Sequence, residues 1–438
     1  MGDGTAPTGT LLIRGGTVVD ATGERRADVV VADGRVVAVG EGLTVGPGAT
    51  VLDAGGCVVA PGLVDLHTHL RQPGSEESET VETGSRAASL GGFTAVVAMP
   101  NTNPPLDSAD AVRSVLDLGR SATVEVAVAG AITVARAGER LAPMAELAAL
   151  GVRIFTDDGA GVQSAGVMRR ALEYAAALGV TLAQHCEDAS LADGGAMHEG
   201  AWSSRLGVPG IPGLAEEVMV ARDLALARET AARVHLLHLS TARSVDLVRV
   251  AKAQGVPVTA EAAPHHFTLT DASAATYDPL FRVNPPLRPQ ADVDAVVAGL
   301  ADGTIDAIAT DHAPHPPESK DLPFDLAPPG MLGLETALAL AITGLGLPIR
   351  QVVGLLSWRP ASIAGLDADA GGEQGGPIAA GCPANLCVVD PAARWTVDPA
   401  ALASRSRNTP YGGRTLTGRV RHTLFRGEPV VVDGRAQR

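Results

Sequence analysis

Two patterns of apolar and polar positions divide this chain. Residues 11–60 read as short β segments with glycine-rich turns, at 12–19, 28–31, 36–39 and 57–60, with Ala32-Asp33-Gly34 as a hairpin signal. The C-terminal stretch is similar, with β-like runs at 386–389, 420–425 and 429–432 and a turn at Arg426-Gly427-Glu428. Between them the pattern changes. Apolar runs near residues 63–69, 93–99, 124–131, 151–156, 180–185, 233–239, 256–262 and 305–310 alternate with Ala/Leu-rich stretches of helical period, among them 108–118, 166–178, 216–230 and 244–254. Eight β segments with intervening helices predict an α/β fold, a (β/α)8 TIM-like barrel. Neither terminal piece makes a sandwich alone, but chain ends often lie close together. The two therefore predict one small β-sandwich domain built from both chain ends. The expected division is 1–60 and 371–438 for the β domain and 61–370 for the barrel, with 371–376 as the loop leaving it.

The first barrel run ends in His67-Thr68-His69. Residues two apart on a strand point to the same face, so two imidazoles can meet one metal ion. In such a barrel the active site lies at the C-terminal ends of the strands, and the polar residues fall there. His67, His69 and Arg71 close the first run, Asn101 follows the second, and Asp157-Asp158 the fourth. His185 ends the fifth, His238 the sixth, and Asp311 the eighth, with His315 shortly after. Imidazole and carboxylate suit zinc, although the same ligands accept cobalt or manganese. Four histidines and two aspartates exceed what one ion with an open position needs. Two ions fit better, with one carboxylate bridging them. Periodicity does not choose between Asp157 and Asp158 as the bridge.

Composition narrows the class. With 438 residues, 46% of them hydrophobic, the chain can bury a large core. A formal net charge of −15 with no basic cluster argues against nucleic-acid or membrane-surface binding. The four cysteines have neither zinc-finger nor secreted-domain spacing and read as reduced thiols, Cys186 as a packed one beside His185. The stretch Met1 to Thr10 lacks the features of a signal peptide, and the apolar run 337–347 is too short to span a bilayer, so a cytoplasmic location is expected. Of the remaining polar residues, Asp65 is expected to orient an imidazole, and His235, His265 and His266 to be structural. His198 and His422 are expected at the surface. Only two lysines occur, Lys252 in a helical stretch and Lys320 in a loop.

These residues together resemble the amidohydrolase superfamily and, within it, the dihydroorotases of the bacterial class I type. The resemblance covers nearly the whole chain. It is carried by Pro61-Gly62-Leu63-Val64-Asp65-Leu66-His67-Thr68-His69-Leu70-Arg71, Met99-Pro100-Asn101, Phe155-Thr156-Asp157-Asp158-Gly159, Gln184-His185-Cys186-Glu187, His238-Leu239-Ser240, Asn284-Pro285-Pro286 and Thr310-Asp311-His312-Ala313-Pro314-His315. It implies two zinc ions per chain, one held by His67, His69 and Asp311 and the other by His185 and His238, with Asp158 bridging and Asp157 in support. It implies Asp311 as general acid/base, Arg71, Asn101 and His315 as a clamp on a substrate carboxylate, and Asn284, Pro329 and Gly330 against the substrate ring. Many relatives carry another residue where Pro329 stands. The reaction implied is the reversible cyclisation of N-carbamoyl-L-aspartate to dihydroorotate in pyrimidine biosynthesis. Hydantoinases, allantoinases and many dihydroorotases are similar but bridge their metals with a carbamylated lysine. The carboxylate at the end of the fourth run favours the class I dihydroorotase pattern. A hydantoinase-like cyclic amidase is the nearest alternative, and a non-catalytic scaffold for aspartate carbamoyltransferase, a partner of some relatives, is another. A homo-oligomer is compatible with the sequence. The segment 314–329, rich in proline and charge, is expected as a mobile flap over the site.

Overall fold

A computed structural model of the chain describes residues 9–438, so most of the N-terminal stretch read for a targeting signal, residues 1–8, lies outside it. The first five strands are β1 (Leu11–Asp20), β2 (Gly23–Ala32), β3 (Arg35–Gly40), β4 (Thr50–Asp53) and β5 (Val58–Pro61). Eight further strands then form the barrel wall: β6 (Leu63–Thr68), β7 (Phe93–Ala98), β8 (Glu125–Val128), β9 (Ile154–Phe155), β10 (Thr181–Gln184) and, after a small pair β11 (Met197–His198) and β12 (Gly210–Ile211), β13 (Val234–Leu236), β14 (Val258–Ala262) and β15 (Ala307–Ile308). Each of the eight falls on one of the expected apolar runs. The chain ends with β16 (Leu386–Thr396), β17 (Thr415–Phe425), β18 (Glu428–Val432) and β19 (Arg435–Ala436).

Parallel pairing runs β6-β7-β8 and β9-β10-β13-β14-β15. Parallel bridges from Gly130 to Phe155 and from Thr68 to His312 join these two sheets at both edges and close the barrel. Several helices between the strands are capped by the side chain that precedes them. Ala165–Leu178, for example, starts at Ser164, whose hydroxyl accepts from the Val167 amide, and ends at Gly179 in the left-handed region. Its buried residues Val167, Met168, Ala171, Leu172 and Ala175 recur at helical spacing and turn one face to the barrel.

The terminal strands form one nine-stranded sheet in which β16 pairs antiparallel with β5, joining the two chain ends. The sheet folds over its own core of Ile13, Val18, Val29, Val59, Val388 and Leu424. The alternate residues Val19, Val58, Cys387 and Val389 belong to the large barrel core. The period-two alternation of a strand thus divides one sheet between two cores, and the β unit is fused to the barrel along a face. Strand β4 carries no strong alternation and was not anticipated; it pairs parallel with β1. All four cysteines are free, and three of them are buried. Among the described residues, no helix is long and apolar enough to cross a membrane.

Gly62 is the joint between the units. Its amide donates to Asn385 O at 2.9 Å, and its carbonyl accepts from the Ser357 hydroxyl at 2.8 Å. A Cβ here would lie 2.1–2.6 Å from the Thr94 side chain, in buried space with no room to give. Gly62→Ala should therefore cost about 1–3 kcal/mol through overpacking, seen as a lower urea midpoint. An unchanged midpoint would show that the joint tolerates a side chain.

Candidate active site

His67 lies near the end of β6, and the other polar residues of the site follow the last paired residues of their strands, where the chain turns out of the barrel and side chains project into its mouth. Six of them converge. His67 Nε2 lies 3.3 Å from Asp158 Oδ1 and 3.5 Å from Asp311 Oδ1. His69 Nε2 lies 3.2 Å from Asp311 Oδ1 and 3.5 Å from Asp158 Oδ2. His185 Nδ1 and His238 Nε2, 2.9 Å apart, face Asp158 Oδ1 at 3.7 and 3.9 Å. Asp158 therefore touches all four imidazoles, whereas Asp311 faces His67 and His69. Three of the site residues hold positive φ, Arg71 at 60°, His238 at 32° and Asp311 at 46°. Such backbone conformations are uncommon for side-chain-bearing residues and persist where the surrounding structure imposes them.

The electrostatics favour positive charge at the centre. Burial alone would raise the Asp158 carboxyl, but His67 and His185 outweigh it and hold it well below the usual range. Asp311 is lowered in the same way by His67 and His69. The His67 imidazole, despite its burial, is pushed well above its ordinary value by Asp158 and Asp311. Burial and then the neighbouring His185 and His67 push His238 down to about 3, which leaves its ring neutral and able to ligate. His67 Nε2 is buried with no hydrogen-bond partner, and its ligand atom lies within 4.8 Å of those of His69 and Asp311, and equally of Asp158 and His238. An orphaned nitrogen among buried carboxylates and imidazoles fits a divalent metal.

The supporting groups differ in part from expectation. Asp157 turns away from the cluster and accepts from the Ile132 and Thr133 amides at 2.9 and 3.1 Å and from the Thr133 hydroxyl. Asp65 orients no imidazole. It accepts from the Thr310 amide and hydroxyl at 2.7 and 2.6 Å, and from Thr68, and so ties β6 to the backbone beside Asp311. The imidazole partner is Glu261 on β14. It takes His67 Nδ1 at 3.0 Å and His235 Nε2 at 2.9 Å. These bonds outweigh its burial and hold its carboxyl down at about 2. Glu261 was missed, although a glutamate inside the apolar run 256–262 was a legible signal. His235 is structural and acts on the site only through Glu261. His265 and His266 are buried, the latter bound to Pro285 O at 3.0 Å. Two other expectations fail: His198 is half-buried against Arg288 at 3.0 Å, and His422 is buried within the terminal sheet.

A cleft of about 190 Å³ opens over the cluster, lined by His69, Arg71, Asn101, Asn284, His315 and Pro328-Pro329-Gly330 among others. Asn101 holds His69 Nδ1 at 2.9 Å and reaches Asp158 at 3.4 Å, so it positions ligands as well as facing the cleft. His315 Nε2 is 2.9 Å from Pro329 O and 3.4 Å from Arg71 Nη2. A ring nitrogen that donates to the carbonyl cannot also accept from the guanidinium, which leaves Arg71 Nη2 free for a ligand. Asn284 Nδ2 donates to Glu187 at 3.2 Å, and its Oδ1 is buried without a partner. The segment 314–329 forms one wall. Arg282 donates to Phe324 O and Ala327 O at 3.0 and 2.6 Å, and Phe324 packs among Ala196, Met197 and Ala274. Neither lysine reaches the cluster: Lys252 pairs with Asp306 at 2.6 Å, and Lys320 lies within that wall. The Cys186 thiol is pushed well above its usual range by burial, as a packed thiol should be.

A family model described as "Dihydro-orotase-like" matches residues 56–244. The dihydroorotase of Pelotomaculum thermopropionicum is 50% identical over 430 residues, 97% of this chain and 99% of that protein. The dihydroorotase of Streptomyces coelicolor is 51% identical over 433 residues, 97% and 99% of the two chains. Among solved structures, an L-hydantoinase (dihydropyrimidinase) from Arthrobacter aurescens superposes with a TM-score of 0.87 at 26% identity, over 98% of this chain and 97% of that one. The barrel with its fused sheet, the cluster of imidazoles and carboxylates at the barrel mouth and the half-identity over nearly the full length agree: the chain belongs to the dihydroorotase family.

Proposed function

We propose that this chain catalyses the reversible cyclisation of N-carbamoyl-L-aspartate to L-dihydroorotate, with two zinc ions held by His67, His69, Asp158, His185, His238 and Asp311. The observation that carries this reading is the shared cleft. All six candidate ligands stand beneath the Arg71 guanidinium, which makes no ion pair among the described residues, in a chain half identical to dihydroorotases. Asp158, which touches all four imidazoles, would be the carboxylate shared between the two ions. Bound there, the ions would polarise the ring amide carbonyl and supply a nucleophile at neutral pH by lowering the pKa of water.

The chain's own residues set the geometry and move the proton. Arg71, with Asn101 and His315, takes the substrate carboxylate; a guanidinium matches it in charge and in its paired donors. Asn284, with its free buried oxygen, and the backbone of Pro329 and Gly330 face the ring. In the hydrolytic direction, Asp311 accepts the proton released as the nucleophile adds to the carbonyl carbon. It returns that proton to the ring nitrogen as the carbon–nitrogen bond breaks. Cyclisation runs the same transfers in reverse and releases water. Asp311 is held ready as a base because His67 and His69 keep it ionised.

Three outcomes are expected. Metal-loaded protein should hydrolyse L-dihydroorotate, followed by ultraviolet absorbance, and leave dihydrouracil, hydantoin and allantoin untouched. Turnover of the uncharged rings would move the chain to a hydantoinase-like activity. Asp311→Asn should lower kcat by about 10²–10⁴-fold, and retention of kcat would remove Asp311 from proton transfer. Glu261→Ala should weaken metal binding about 10–100-fold by freeing the His67 ring, read by titration with a chelating dye; unchanged affinity would show that the ring is held by packing alone.

A further inference from the structure

Lys320 is unusual on three independent counts. The chain has only two lysines. One pairs with a carboxylate at its helix end; the other, Lys320, is only 7% exposed and makes no ion pair among the described residues. Its ammonium donates instead to two carbonyls, Pro279 O at 3.1 Å and Pro328 O at 2.7 Å. Carbonyl acceptors can be served by a neutral amide, whereas burying an unpaired charge is costly. The charge therefore needs a reason.

The surroundings supply one. Pro328 opens the Pro328-Pro329-Gly330 run that lines the cleft, and Pro329 O is the group that engages His315 beside Arg71. Lys320 therefore fastens the cleft wall one residue from the contact that leaves Arg71 free. Arg71 and Arg282, the cations near it, likewise make no ion pair among the described residues. Three cations with no ion pair among the described residues thus lie together, Arg71 lining the cleft and Lys320 and Arg282 behind its wall, in a protein of net charge −15. Burial first, then Arg71 and Lys320, push His315 down to about 3 and keep it neutral.

Resting on the function proposed above, we infer that Lys320 is a positioning residue for the anionic substrate: it latches the 328–330 wall and supplies part of the positive potential that draws the substrate carboxylate to Arg71. The groups facing it are Arg282, Asp278, Arg71 and His315. Burial first, then Arg282, push its ammonium down to about 7. The potential should therefore fade as pH rises through that value, and an arginine in its place should not lose it.

The experiment is steady-state hydrolysis of L-dihydroorotate from pH 6 to 9 by the metal-loaded wild type, Lys320→Met and Lys320→Arg, with metal content measured on each. Lys320→Met should raise KM about tenfold, with kcat within about threefold and metal unchanged. Lys320→Arg should restore KM to within about threefold. Wild-type KM should climb above pH 7, and that of Lys320→Arg should stay level. An unchanged KM in Lys320→Met, or an equal pH rise in wild type and Lys320→Arg, overturns the inference. If Lys320→Met does not fold, the comparison of wild type with Lys320→Arg decides alone. A wild type that leaves dihydroorotate untouched in every condition sinks the functional reading itself, and this inference with it.

Discussion

Two ionised aspartates buried among four imidazoles, with no arginine or lysine paired to them, are the constraint on which this structure turns. Carboxylates taken out of water need compensation, and the neighbouring histidines provide it only by being driven toward their charged form, as His67 is. A divalent cation resolves that tension for the whole cluster at once. The clustered histidines and aspartates come from the ends of five strands, β6, β9, β10, β13 and β15, so they meet only if the barrel closes in register. The bonds that surround them serve that closure. Asp65 joins β6 to the backbone of Thr310 next to Asp311, and Glu261 joins β14 to both His67 and His235.

The C-terminal part of the chain also takes part in the site, beyond the sheet it was expected to build. Residues 404–408, between β16 and β17, reach back over the barrel mouth. The Ser404 hydroxyl donates to Glu79, which also holds His312 Nε2 at 3.2 Å, one residue from Asp311. Asn408 Nδ2 donates to Ala313 O and Gly330 O at 2.9 and 3.1 Å, and its Oδ1 accepts from the His315 amide at 3.0 Å. This loop therefore fixes the two sides of the substrate cleft relative to each other, and the fusion of sheet to barrel along a shared core gives it a rigid base.

Much of this was legible in the residues. The eight barrel strands showed as apolar runs because a parallel strand buried on both faces needs continuous hydrophobicity. The candidate ligands stood out because they fall at or just past the ends of those runs, where a polar residue has a short list of reasons to be. Other features were not legible, for a common reason: they depend on which side chain lies across the barrel. Asp65 and Glu261 both sit inside apolar strands, and local periodicity assigns neither its partner. His198 and His422 were expected at the surface, yet Arg288 and the terminal sheet cover them. The wall segment 314–329 shows its proline and charge in the sequence, but its contacts with Arg282 and with Phe324's apolar neighbours come from far along the chain.

The central claim is that the buried carboxylate cluster holds two ions and that the chemistry depends on both. The direct measurement is titration of metal-stripped protein with zinc while dihydroorotate hydrolysis is followed on the same sample. Activity that rises to a plateau at about two equivalents per chain is the result this account predicts. Full activity at one equivalent, or turnover in the stripped protein, would contradict it.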